Sequence, residues 1–163
     1  MKTQALRMDE DKRASDLSRR VFLAGAAGAA ICVIAPSARA TPEAMAQAIK
    51  EFTGGKPVVE GGVEVDIPVL LESGHSVPTI VRVDSPMTAQ NYVRSIAVFN
   101  ERNPQPNVAV FHLTPRSGRA FVSTRIRLGD SQKVLALAQM SDGTFRSGSI
   151  DVIVTLPACV EGA

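Results

Sequence analysis

The chain has 163 residues, 18 Lys+Arg, 16 Asp+Glu and a formal charge of +2. Seven of the basic residues and four of the acidic ones fall in residues 1–40, so the remainder carries 11 against 12 and a net charge of −1. That balance removes the basic footprint of a nucleic-acid binder, and the lack of Trp beside a single tyrosine, Tyr92, leaves few platforms for stacking bases or sugars.

The first 40 residues have the layout of a signal peptide: a polar stretch to Arg20, an apolar run over 21–34, then Ala38-Arg39-Ala40 as a small-x-small site. The run has 14 residues, short of the about 20 that span a bilayer, so no membrane segment is expected once cleavage after Ala40 has removed it. Arg19-Arg20 followed by Val21-Phe22-Leu23 has the twin-arginine arrangement, which predicts periplasmic export of an already folded chain. A chance arginine pair ahead of a general secretory signal is the alternative. Cys32 lies inside the apolar run and leaves with it, and Ala29-Ala30-Ile31 before it makes no lipobox.

The mature chain from Thr41 is long enough for one domain with one core. Thr41 as cap, Pro42 in the first turn and Met45, Ile49 and Phe52 on one face predict a short helix, which Gly54-Gly55 stops. From Pro57 the apolar period drops to two. Candidate strands are 63–66, 67–72, 77–84, 94–99, 108–113, 119–128, 133–140 and 144–156, separated by turn dipeptides and proline-rich loops. Asp142-Gly143 is the best hairpin signal. The expected fold class is all-β, an immunoglobulin-like antiparallel β-sandwich over residues 41–156 with a short N-terminal helix after the signal peptide. Residues 157–163 form a C-terminal arm.

Within 121–128, alternation puts Val122, Thr124, Ile126 and Leu128 on one side and Phe121, Ser123, Arg125 and Arg127 on the other. The second set reads either as a solvated strand face or as a partner-facing one.

Signals for catalysis or metal binding are sparse. The two histidines, His75 in a turn and His112 in a strand, have no metal-ligand spacing, and no metal site is expected. Phosphate-cradling glycine loops and Gly-x-Ser-x-Gly are missing. A Cys–His pair at Cys159 would need preorganisation that a chain end does not supply. The chain therefore does not read as an enzyme with its own site.

What remains is the tail, Pro157-Ala158-Cys159-Val160-Glu161-Gly162-Ala163, with the lone cysteine of the mature chain. In an oxidising compartment such a cysteine suggests an intermolecular disulfide or a free reactive thiol. Pro157 gives the ladder no donor, and an extended tail at about 3.3 Å per residue places Cys159 about 10 Å beyond the sheet.

Four words in order, Val83-Asp84-Ser85-Pro86-Met87, Asn103-Pro104-Gln105-Pro106, Ser123-Thr124-Arg125-Ile126-Arg127-Leu128 and Met140-Ser141-Asp142-Gly143, resemble the SoxY family. That family supplies the sulfur-carrier subunit of periplasmic thiosulfate oxidation. The resemblance covers roughly residues 43–155. It implies an immunoglobulin-like sandwich, a heterodimer with a SoxZ-like subunit, and partner enzymes that perform the sulfur chemistry. It makes Phe121, Arg125 and Arg127 better candidates for the pairing strand. It also implies that Cys159 holds the sulfur intermediate as a covalent adduct, with no other cofactor. The family's arm reads Gly-Gly-Cys-Gly-Gly, whereas here Pro157, Ala158, Val160, Glu161 and Gly162 flank the cysteine. Proline and valine stiffen the arm, and a carboxylate two residues from the sulfur disfavours its thiolate. Two functions follow: a covalent carrier, or a SoxY-like binding and assembly module that carries no cargo.

Overall fold

A computed structural model describes residues 41–158. Helix α1, Pro42–Thr53, opens it. Thr41 caps the helix from an extended backbone, its hydroxyl accepting the Ala44 N–H at 3.2 Å. Pro42 occupies the first turn, where a missing N–H costs no helical bond. At Gly54, φ is 64°, a left-handed value that spares glycine a Cβ clash, and the Gly54 N–H returns to the Glu51 carbonyl. The predicted helix and both its ends are observed.

Among the described residues nine strands follow: β1 Val58–Glu60, β2 Val63–Asp66, β3 Leu70–Ser73, β4 Val77–Val83, β5 Val93–Asn100, β6 Asn107–His112, β7 Phe121–Ile126, β8 Gln132–Met140 and β9 Phe145–Leu156. They form two sheets of an immunoglobulin-like sandwich. The smaller is β2-β4-β7, antiparallel throughout. The larger runs β1-β9-β8-β5-β6, with β3 also paired to β9.

Two pairings depart from the expected antiparallel arrangement. β1 lies parallel to β9 along Phe145–Ser147, and β3 lies parallel to its far end, from Ile153 to Leu156. Between them the chain crosses to the smaller sheet as β2 and returns to the same edge of β9. Period-two patterning assigns faces to side chains but carries no information about a neighbour's direction. β1 was not foreseen, and the expected strand 67–72 starts later: Ile67 and Pro68 lie outside the ladder, Pro68 has no donor to give it, and Val69 contributes only its carbonyl, which accepts the Ile153 N–H at 2.7 Å.

The space between the sheets is filled by Val77, Val81, Ile96, Val98, Val122, Ile126, Leu128, Val134 and Val152, among others. A second apolar cluster covers the outer face of the larger sheet, where Met45 and Phe52 of α1 meet Ala97, Phe99, Leu137 and Phe145. Phe52 stands edge-on to Phe99 and to Phe145, with ring centroids 5.9 Å apart in each pair. The middle of β5, Ile96-Ala97-Val98-Phe99, is therefore buried on both faces.

The β8–β9 hairpin turns at the anticipated place, with Gly143 at φ 83°. The Asp142 carboxylate accepts from the Thr144 hydroxyl at 2.7 Å and the Thr144 N–H at 2.8 Å. These two donors hold its carboxyl below the usual aspartate range. Among the described residues no helix is long and apolar enough to cross a membrane.

Candidate functional site at the root of the C-terminal tail

The last strand, β9, ends at Leu156, whose carbonyl accepts the Gly74 N–H at 2.9 Å. Pro157 is exposed and offers no donor. The next N–H, of Ala158, donates to the Leu128 carbonyl at 3.1 Å, and the Leu128 N–H donates to the Gly74 carbonyl at 2.9 Å. Gly74, Leu128 and the tail are thus joined by backbone groups alone. Ala158 is buried, with 5% of its surface exposed. The position of Gly74 admits no side chain: a Cβ there collides with the Leu128 carbonyl oxygen and stands 3.0 Å from the Ala158 nitrogen.

This corrects the picture of a tail that runs free from Pro157. Proline does end the β9 ladder, but the chain turns onto the loop between β7 and β8. Pro157 and Ala158, expected as arm residues, belong to the folded body. Cys159, Val160, Glu161 and Gly162 lie outside the described residues, as do Arg19, Arg20 and the cleavage position after Ala40.

Leu128 is held from its other side by one amide. Asn103 donates from Nδ2 to the Arg127 carbonyl at 2.8 Å, and its Oδ1 accepts the Gly129 N–H at 2.9 Å. The two bonds bracket Leu128, so its own N–H and carbonyl are left for Gly74 and Ala158. Gln132, buried, supports Asn103 through Nε2 at 3.1 Å and receives the Arg102 N–H on Oε1 at 2.8 Å. Ser131 Oγ accepts the Val154 N–H at 2.9 Å and ties the same loop to β9.

The outer face of β7 follows the predicted alternation. Val122 and Ile126 are buried, whereas Phe121, Ser123 and Arg125 are exposed. This face is not bare. The Arg82 guanidinium lies 5.9 Å over the Phe121 ring and pairs with Glu64 at 3.2 Å and Asp66 at 3.1 Å. Arg125 donates to the Ser76 carbonyl at 3.3 Å. The Arg127 side chain is exposed while its carbonyl serves Asn103.

His75 sits in the β3–β4 turn and His112 ends β6, in the other sheet from β4. Among the described residues no group of three His, Cys, Asp or Glu side chains gathers to hold a metal. Sequence reasoning had passed over Gly74, Leu128 and Asn103 as site residues. Two of them lay within words already singled out, Asn103-Pro104-Gln105-Pro106 and the segment ending in Leu128, and the third within a Ser-Gly-His turn.

A family model described as sulfur oxidation protein SoxY matches residues 49–159. Among solved structures, the sulfur carrier protein SoxY from Chlorobium limicola f thiosulfatophilum is similar with a TM-score of 0.60 and 26% identity, over 71% of this chain and 100% of that one. A superoxide reductase (neelaredoxin) from Ignicoccus hospitalis has a TM-score of 0.52 and 14% identity, over 58% of this chain and 80% of its own, a likeness of fold alone. Comparison with the curated proteins found no match.

Proposed function

This chain belongs to the SoxY family of sulfur-oxidation proteins, and we propose that it is a periplasmic carrier holding sulfur intermediates covalently on Cys159. The supporting observation is that the family match extends to Cys159, the residue directly after the anchored Ala158. The similar protein from Chlorobium limicola is itself a sulfur carrier by name. In this reading the sandwich is the handle, the tail presents the thiol, and partner enzymes load, oxidise and release the cargo.

The carrier reading includes three further parts. Export proceeds by the twin-arginine route and removes residues 1–40. A SoxZ-like subunit pairs with the sandwich through the outer face of β7, at Phe121, Arg125 and Arg127. No cofactor is carried beyond the adduct on Cys159.

Intact mass of the protein taken from cells grown on reduced sulfur tests the central claim. Added sulfur or oxidised sulfur is expected, removable by small thiols through exchange and absent from Cys159→Ser. A homogeneous unmodified thiol under those conditions overturns it. Retained export of an Arg19→Lys, Arg20→Lys double variant overturns the route. Undiminished heterodimer formation by Phe121→Glu overturns the pairing face.

The departures at Pro157, Val160 and Glu161 from the family's glycine-rich arm favour a second reading, an assembly module without cargo. A disulfide-linked dimer as the sole native species selects that reading.

A further inference from the structure

We propose that Asn103, Leu128 and Gly74 act together as a positioning device that fixes where the cysteine arm leaves the sandwich. The argument starts from backbone groups. Leu128 has one N–H and one carbonyl, and both are committed: the first to the Gly74 carbonyl, the second to the Ala158 N–H. They point that way because the Asn103 amide has already taken the groups on either side, the Arg127 carbonyl and the Gly129 N–H. Gly74 completes the arrangement by closing on Leu128 at a distance that no other residue allows, while its N–H takes the Leu156 carbonyl. An isolated proline-containing tail has no reason to bury an alanine. Here Ala158 is buried because this junction receives it.

The consequence for Cys159 follows from covalent geometry. Ala158 is the last described residue and is covalently joined to Cys159, so the junction fixes the point from which the arm departs. The root of the arm is held beside the β3–β4 turn and the β7–β8 loop. A partner with a shallow site needs only the residues beyond that root. A partner whose channel must also take in Ala158 requires the Leu128–Ala158 bond to open. Asn103, Leu128 and Gly74 thereby set which partner geometries the arm can serve. They touch no cargo and act through Ala158.

This inference rests on the carrier reading for its purpose, but its test needs only the thiol. A nitroxide attached to Cys159 of the mature chain through a methanethiosulfonate reagent reports motion at the arm root. A motionally restricted spectrum is expected for the otherwise unaltered protein, and a fast component for Gly74→Ala and Asn103→Leu. Thr41→Ala, which loosens the remote helix, is expected to leave the spectrum unchanged and so separates positioning from general destabilisation. Wild-type spectra as mobile as those of the urea-unfolded chain overturn the proposal. So do variants that fold and leave the spectrum as it was. If neither variant folds, amide exchange of Ala158 in the unaltered protein decides. Protection of about tenfold or more, the scale of one net hydrogen bond, supports the junction, and free-chain exchange overturns it. An unmodified thiol in sulfur-oxidising cells would end the carrier reading and leave this result standing.

Discussion

The two sheets meet water differently. β5, an interior strand of the larger sheet between β8 and β6, is buried at seven of its eight positions, whereas β7 of the smaller sheet alternates between buried and exposed. The cause is α1, which lays Met45 and Phe52 on the outer face of the larger sheet and, among the described residues, has no counterpart over β2-β4-β7. One outer face is consequently held by burial of apolar area, which solvent ions do not weaken. The other is dressed by Arg82, Glu64 and Asp66, half-exposed charges whose attraction salt screens. The comparison teaches that the same strand pattern can serve as a foundation or as a presentable surface, depending on whether a single helix is docked on it.

Truncating the aromatic beneath α1 attacks this contrast most directly. Phe99→Ala is expected to cost about 3–5 kcal/mol, as for other buried phenylalanines, whereas Phe121→Ala costs under about 1 kcal/mol. Urea unfolding of the two variants checks this, and equal losses would break the comparison. Weakening the helix from its end is a milder probe. Thr41→Ala is expected to lower stability by about 1 kcal/mol and to speed amide exchange in the first turn of α1, leaving the smaller sheet's amides unchanged. On the charged face, Arg82→Ala is expected to cost at most about 1 kcal/mol at low salt and less in molar salt, while the Phe99→Ala loss persists. A salt-independent Arg82→Ala effect would mean that packing against Phe121 outweighs the ion pairs.

The smallest effect belongs to Asp142, whose folded carboxyl titrates below its unfolded range because Thr144 donates to the ionised form. Its contribution is therefore present above about pH 4 and is lost as pH falls through the lower folded value. Asp142→Asn is expected to reduce stability at pH 7 and to fall less far short of the parent at about pH 3. Paired unfolding curves at the two pH values check the sign.

How much of this was legible in the sequence depends on which groups carry the information. Thr41, Pro42 and Gly54 announce a helix by side-chain chemistry and backbone freedom, and both helix ends fall where those residues stand. Alternation in 121–126 assigns the faces of β7 correctly, and Asp142-Gly143 locates the last hairpin. The parallel pairing of β1 and β3 with β9 was not legible, because strand direction leaves no trace in side-chain period. The anchoring of Ala158 was hidden for a related reason: every bond in it joins one backbone group to another, and the one compositional clue, Gly74, looks like any turn glycine. Asn103 looked like a loop residue because its amide serves the main chain of a segment about 25 residues away. Cys159 itself was found by elimination and by resemblance, with no contribution from periodicity.

The arrangement around β9 has a bearing on the order in which the molecule is assembled. β9 is the partner of β1, β3 and β8, so two of the first three strands wait for the last one. Until β9 has been synthesised, β1 and β3 have unsatisfied edges, and pairings across so many residues close slowly. That edge of the larger sheet thus cannot be completed piecemeal from the N-terminus, and β1 and β3 find their partner only once translation has delivered β9.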